Sequence, residues 1–185
     1  MHALRPLAMA YALFSTSITC IDSPTTPGLS HLYTAIADCK AGIFTTQSPK
    51  GIRTSIPIVG GNFTGPRLKG QILNLGADWG TTDPQTGIFA PDTRYQLQTD
   101  NGANIYVQTS GAMQPDKTVH LRAVFETGDK EYYWLNNIVA VGILQLIATY
   151  DDGSYSLQID VWNLVYTLQL GNEWSNTTFV NGTTY

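Results

Sequence analysis

Two carboxylic acids in this 185-residue chain, Asp78 and Glu126, are its candidates for acid–base chemistry, and Asp78 stands in a nearly apolar segment. Asp78 lies between Ala77 and Trp79. A carboxyl packed against an indole has its charged form penalised, so its pKa rises and it can donate a proton near neutrality. The plainer account is a turn-capping aspartate after Gly76. Glu126 follows Phe125 and precedes Thr127, Gly128 and Asp129, with His120 and Arg122 on its side of the segment. It could be a second acid or base across a cavity from Asp78, or one half of a cross-strand ion pair with an arginine. Arg94, in D-T-R-Y, could hold a phenolate, enolate or carboxylate through its planar fork. It could equally pair with Asp78 or Glu126. Arg67, in G-P-R-L, reads as a surface residue on a strand edge.

Trp79, Tyr106, Tyr133 and Trp134 are the candidate substrate-binding rings. Tyr106 falls on the polar face of its segment, where a core-filling residue is not expected. The tryptophans suit plain core packing as well. Beside an acid, such rings would also stabilise a developing carbocation through their negative faces. Other chemistries leave no trace. There is no phosphate-binding G-x-x-x-x-G-K-[ST], no H-x-H or C-x-x-C pair and no G-x-S-x-G elbow. His2, His31 and His120 are scattered, which argues against a zinc or non-haem iron site.

The segments that would position these residues have a period of two. Tyr95 and Leu97 alternate with Gln96 and Gln98; after Asp100, Asn101 and Gly102, the residues Ala103, Ile105 and Val107 alternate with Asn104, Tyr106 and Gln108. That is a hairpin, because D-N-G supplies the positive φ of a tight turn. Val119, Leu121, Ala123 and Phe125 share another face, and Asp151–Asp152–Gly153 should join Ile138–Thr149 to Tyr155–Val165 as a second hairpin. No amphipathic helix is expected. Short antiparallel strands at this spacing point to a sandwich or an up-and-down barrel.

Composition narrows the partners. Net charge is −4 and no basic stripe occurs, which argues against nucleic acid and against an anionic membrane surface. No apolar run reaches the roughly 18 residues of a membrane-crossing helix. Residues 1–28 read as a leader, with a short apolar stretch at Leu7–Phe14 that resembles a secretory signal peptide and the linker-like SPTTPG behind it. A secreted or endomembrane-lumenal location is therefore slightly favoured over the cytoplasm. In an oxidising compartment Cys20 and Cys39 could pair. Asn62, Asn176 and Asn181 each head a glycosylation sequon. Residues 29–165 form the single strand-rich domain, and 166–185 a polar C-terminal extension.

Three phrases carry a family resemblance: IVGGNFTGPRLKGQILNLGADW at Ile58–Trp79, APDTRYQLQTDNGANIYVQTSG at Ala90–Gly111, and FETGDKEYYWLN at Phe125–Asn136. In this order they resemble the DUF3237 (UPF0311) family over roughly Leu29 to Val165. The resemblance implies a single calycin-like antiparallel β-barrel with an internal ligand cavity, and it moves Asp78 from turn cap towards site residue. It further implies a cofactor-independent cyclase of fungal aromatic polyketide biosynthesis. Such an enzyme closes an oxygen heterocycle by acid-catalysed intramolecular hydroalkoxylation of an alkene by a phenol. Asp78 or Glu126 would deliver the proton, and Arg94 or Tyr106 would orient the phenol. The alternative is a secreted, non-catalytic carrier of a small lipophilic ligand. Either reading takes a small aromatic or prenylated molecule as partner and needs no cofactor or metal. A homo-oligomer formed through strand edges is a further expectation.

Overall fold

The computed structural model describes residues 24–166. Most of the expected leader, Cys20, Asn176, Asn181 and nearly all of the C-terminal extension lie outside the described residues. The apolar alternation read from the sequence becomes strands: β1 (Gly28–Cys39), β2 (Phe44–Ser48), β3 (Gly51–Thr64), β4 (Lys69–Ile72), β5 (Ala77–Asp78) and β6 (Thr81–Thr82). After these come β7 (Phe89–Ala90), β8 (Asp92–Thr99), β9 (Asn104–Met113), β10 (Val119–Glu126), β11 (Ala140–Thr149) and β12 (Tyr155–Val165). One 3-10 turn, Tyr133–Asn137, is the sole helical element among the described residues. Both expected hairpins form, β8–β9 around Asp100–Gly102 and β11–β12 around Asp151–Gly153.

The pairings close on themselves. Neighbours run β1, β12, β11, β10, β9, β8, then β4 and β5 sharing one position, then β3, which pairs back onto β1. All of these pairings are antiparallel, and the ring is a barrel. Closure leaves no unpaired strand edge within the ring itself. The N-terminal half of β3 leaves the ring and carries a small second sheet with β2, β6 and β7.

Side chains alternate in and out along every stave. Tyr33, Ala35, Leu97, Ile105, Val107, Leu121, Ala123, Phe125, Ile159 and Val161 face inward and are buried. Gln71, Gln98 and Asn104 form a hydrogen-bonded ladder on the outside. One end of the ring is plugged. Leu135 of the 3-10 turn and the preceding Tyr132 are buried there. Asn136 ties the turn to the end of β10, accepting from the Thr127 amide at 2.9 Å and donating to the Thr127 carbonyl at 2.9 Å. Tyr33 packs edge-on against Phe63 and Phe125, with ring centroids 5.6 and 6.2 Å apart.

The seam between β3 and β1 explains two of the three glycines of GGNFTG. Gly61 has φ +132°, and a Cβ there would collide with the Ile36 carbonyl. A Cβ at Gly65 would collide with the Leu32 carbonyl. Gly65→Ala should therefore lower unfolding stability by about 3 kcal/mol in urea titrations. Gly128→Ala, where an added methyl meets no atom within 4 Å, should change it by less than about 0.5 kcal/mol.

Candidate active site

The end of the barrel opposite the plug is built from the close of β1, β9 and β11, the start of β8, β10 and β12, and the short strand β5. Coverage is mixed here: Ile56, Met113, Leu144, Tyr155 and Leu157 are only partly buried, whereas Cys39, Thr109 and Val119 are buried. Apolar side chains predominate on the inner wall at this end, which we term the mouth.

β5 brings Asp78 into that mouth. The G-A-D-W phrase is a two-residue strand wedged between β3 and β8, with Asp78 opposite Ile56 on one side and Thr93 on the other. Directly opposed residues share a face, so Asp78 joins Thr93 and Thr109 on the inner wall. Those two threonines are buried and hydrogen-bond to each other. The Asp92 amide donates to Asp78 Oδ1 at 2.8 Å. A Cβ at Gly80 would strike the Phe89 ring and crowd Asp78 Oδ1, so glycine keeps this corner open.

Burial is the main reason the Asp78 carboxyl is held up to about 6, and the nearby charge of Asp92 adds to it. The Asp92 and Gly80 amides and the Arg53 charge pull the other way without cancelling the effect. Arg53 donates to the Trp79 carbonyl, and Asp78 makes no salt bridge among the described residues. Cys39 lies on the same inner wall. Burial, then the charges of Asp78 and Asp38, push its thiol up to about 12. Tyr155 sits opposite Cys39 in the β1–β12 register. Its phenol is raised well above its ordinary value by burial and by the charges of Cys39 and Asp78.

The other expected site residues lie elsewhere. Glu126 is exposed on the outer face of β10, opposite Tyr106, which in turn opposes Gln96 on β8. The structure therefore does not bring Glu126 and Asp78 into one cavity. Arg94 is also on the outside, donating from Nη1 to Asp92 Oδ1 at 2.9 Å, with its guanidinium 5.9 Å from the Trp79 ring centre. Trp79 points away from Asp78, so the barrel wall rather than the indole desolvates the acid. Tyr133 is exposed and Trp134 is partly buried, both in the plug at the far end. The Arg67 guanidinium stacks over Trp134 at 3.7 Å. Asn62 is exposed on β3. Among the described residues no three His, Cys, Asp or Glu side chains converge as a metal-binding set.

Sequence reasoning missed three mouth residues. Thr93 could have been found from its parity with Tyr95 and Leu97, and Cys39 from its parity with Ala35 and Ala37. Tyr155 gave only a strand-start signal after a turn.

Comparison with known proteins agrees with the β-barrel fold. A family model described as "Protein of unknown function (DUF3237)" matches residues 27–164. The chain is 30% identical over 132 residues to the hydroalkoxylation enzyme phnH of Penicillium herquei, spanning 71% of this chain and 84% of that protein. A beta-barrel like protein from Acinetobacter baumannii superposes with a TM-score of 0.67 at 34% identity, over 77% of this chain and 99% of that one. An enzyme from Penicillium herquei superposes with a TM-score of 0.61 at 26% identity, over 77% and 98%.

The raised carboxyl has a consequence for stability. Between the unfolded value of 3.8 and the folded value of about 6, the native state keeps a proton that the unfolded chain releases. Stability thus falls as pH rises through this window, and the full penalty, about 3 kcal/mol, stands above it. Asp78→Asn should raise the melting temperature at pH 8 and leave it nearly unchanged at pH 4, as read by calorimetry.

Proposed function

The chain belongs to the DUF3237 family, and from that premise we propose that it is an acid-catalysed cyclase acting on a phenol with an alkene side chain. Asp78 carries the proposal: it is a desolvated carboxyl without a cation partner, placed in the apolar mouth of a closed barrel. With a pKa of about 6 it is partly protonated near neutrality, and its proton is held loosely enough to be given away. The similarity to a protein named as a hydroalkoxylation enzyme supports the same reading.

In the proposed reaction Asp78 protonates the alkene carbon that leaves the more substituted cation. The phenolic oxygen of the same molecule then closes the ring. The apolar wall keeps bulk water from capturing the cation, and confinement holds the oxygen close to it. The product is an isomer of the substrate. By its chemistry the substrate belongs to the prenylated aromatic polyketides.

The test is a comparison of wild type, Asp78→Asn and Glu126→Gln on an ortho-prenylated phenolic polyketide in deuterated buffer. Mass spectrometry should find an isomeric product bearing one new carbon-bound deuterium. Asp78→Asn should lose at least about 100-fold in rate, while Glu126→Gln stays within about twofold, as expected for an exposed outer-face residue. Tight binding without conversion, across a panel of such phenols, would replace the cyclase by a carrier.

A further inference from the structure

We propose that Tyr155 is the second working group of the mouth, its hydroxyl holding the substrate's phenolic oxygen and returning that oxygen's proton to Asp78. The inference rests on Asp78 being the acid. It begins with a vacancy left by the fold: Arg94 and Tyr106, which the sequence offered for the phenol, both face outward. Something inside the barrel must orient the nucleophile.

Few inward polar groups near Asp78 are available. Thr93 and Thr109 satisfy each other. Cys39 offers only a thiol, a weak donor. Tyr33 and Tyr95 are almost completely buried in the barrel interior. Tyr155 differs from all of these. It opens β12, opposite Cys39 of β1 and Thr149 of β11, and its ring is only partly covered. Its hydroxyl makes no hydrogen bond to any described residue, whereas those of Tyr132 and Tyr150 are engaged by Asn101 and Ser156. Asp78, Cys39 and Tyr155 lie near enough for Tyr155 to feel the charge of both others. At working pH Tyr155 is therefore a neutral donor on the same inner wall as a carboxyl that shuttles between two states.

The proton balance closes without a further reagent. Asp78 gives its proton to the alkene: an O–H bond breaks, a C–H bond forms, and a carboxylate faces a carbocation. The phenolic oxygen attacks and the C–O bond forms. Its proton moves to the Tyr155 oxygen as Tyr155 gives its own proton to the Asp78 carboxylate. Both residues end as they began.

Binding of 2-geranylphenol and of its methyl ether would be measured by calorimetry for wild type, Tyr155→Phe, Asp78→Asn and the control Tyr150→Phe. Turnover of the phenol to its chroman would be followed in parallel. Wild type and Tyr150→Phe should prefer the phenol about 3- to 10-fold, the span of one hydrogen bond. Tyr155→Phe should bind both alike and close the ring at least about 10-fold more slowly, with less enantiomeric excess. A preference that survives in Tyr155→Phe, or no preference in wild type, overturns the assignment. Loss of turnover in Asp78→Asn with full rate and selectivity in Tyr155→Phe overturns Tyr155 alone. Full turnover in Asp78→Asn instead overturns the acid, and the proton-return step with it.

Discussion

Closure of the ring between β1 and β3 is the constraint from which the other features follow. β3 must pair with β1 along its C-terminal half while its N-terminal half leaves to join β2 and β6. That divergence brings the backbone of β3 against the carbonyls of Ile36 and Leu32, closer than any side chain permits. Glycine at 61 and 65 is thus a steric requirement of the seam. Once the seam is shut, every stave has two neighbours, and Leu135 and Tyr132 fill one end of the ring. The gap between β3 and β8 is then spanned by two short pieces, β4 and β5, in place of one long strand. A short piece at the open end is what sets Asp78 on the inner wall.

The electrostatics of Asp78 follow from that placement. An ionised carboxyl in an apolar mouth is destabilised unless charges or donors compensate. Here compensation is partial: two backbone amides and the Arg53 charge favour the anion, and burial together with Asp92 outweighs them. Arg94, the cation that could have neutralised the acid, is turned outward and occupied by Asp92. The site retains an acid that folding alone would discard, at a cost of about 3 kcal/mol above neutrality. Such retained penalties are characteristic of working groups and unusual for purely structural ones.

Much of this was legible in the sequence. The period-two runs pointed to β8, β9 and β10, the D-N-G and D-D-G turns to two hairpins, and the phrase G-A-D-W to the acid. Less could be read about which face turns inward. Parity along a strand sorts residues into two sets, but only closure decides which set is enclosed. Tyr106 and Glu126 show the difficulty: an aromatic and an acid on the polar set looked like cavity residues, and their polar neighbours Gln96 and Arg122 were the better guide. The phrase F-E-T-G-D-K-E-Y-Y-W-L-N proved to be a plug held by Asn136 and Thr127. Its motif strength reflects packing at the far end. Tyr155 was invisible for the opposite reason, because a tyrosine opening a strand is what β-propensity alone would place there.

A mouth with one carboxylic acid, rather than the facing pair expected from sequence, is sufficient for an isomerisation of the proposed kind. Two acids are needed when one group must give a proton while another removes a different one from water or a second substrate. In ring closure by hydroalkoxylation the proton added to carbon and the proton lost from oxygen are equivalent, so one carboxyl can deliver the first and recover the second. A second ionised acid inside the mouth would also raise the pKa of the first further through like-charge repulsion. That would weaken the proton donor at the moment it must act. The exposure of Glu126 on the outer face is therefore consistent with the chemistry, and the remaining demand on the mouth is geometric. The recovering carboxylate and the departing proton must be bridged over the width of the substrate, and the partly covered phenol of Tyr155 lies on the wall where such a bridge would stand.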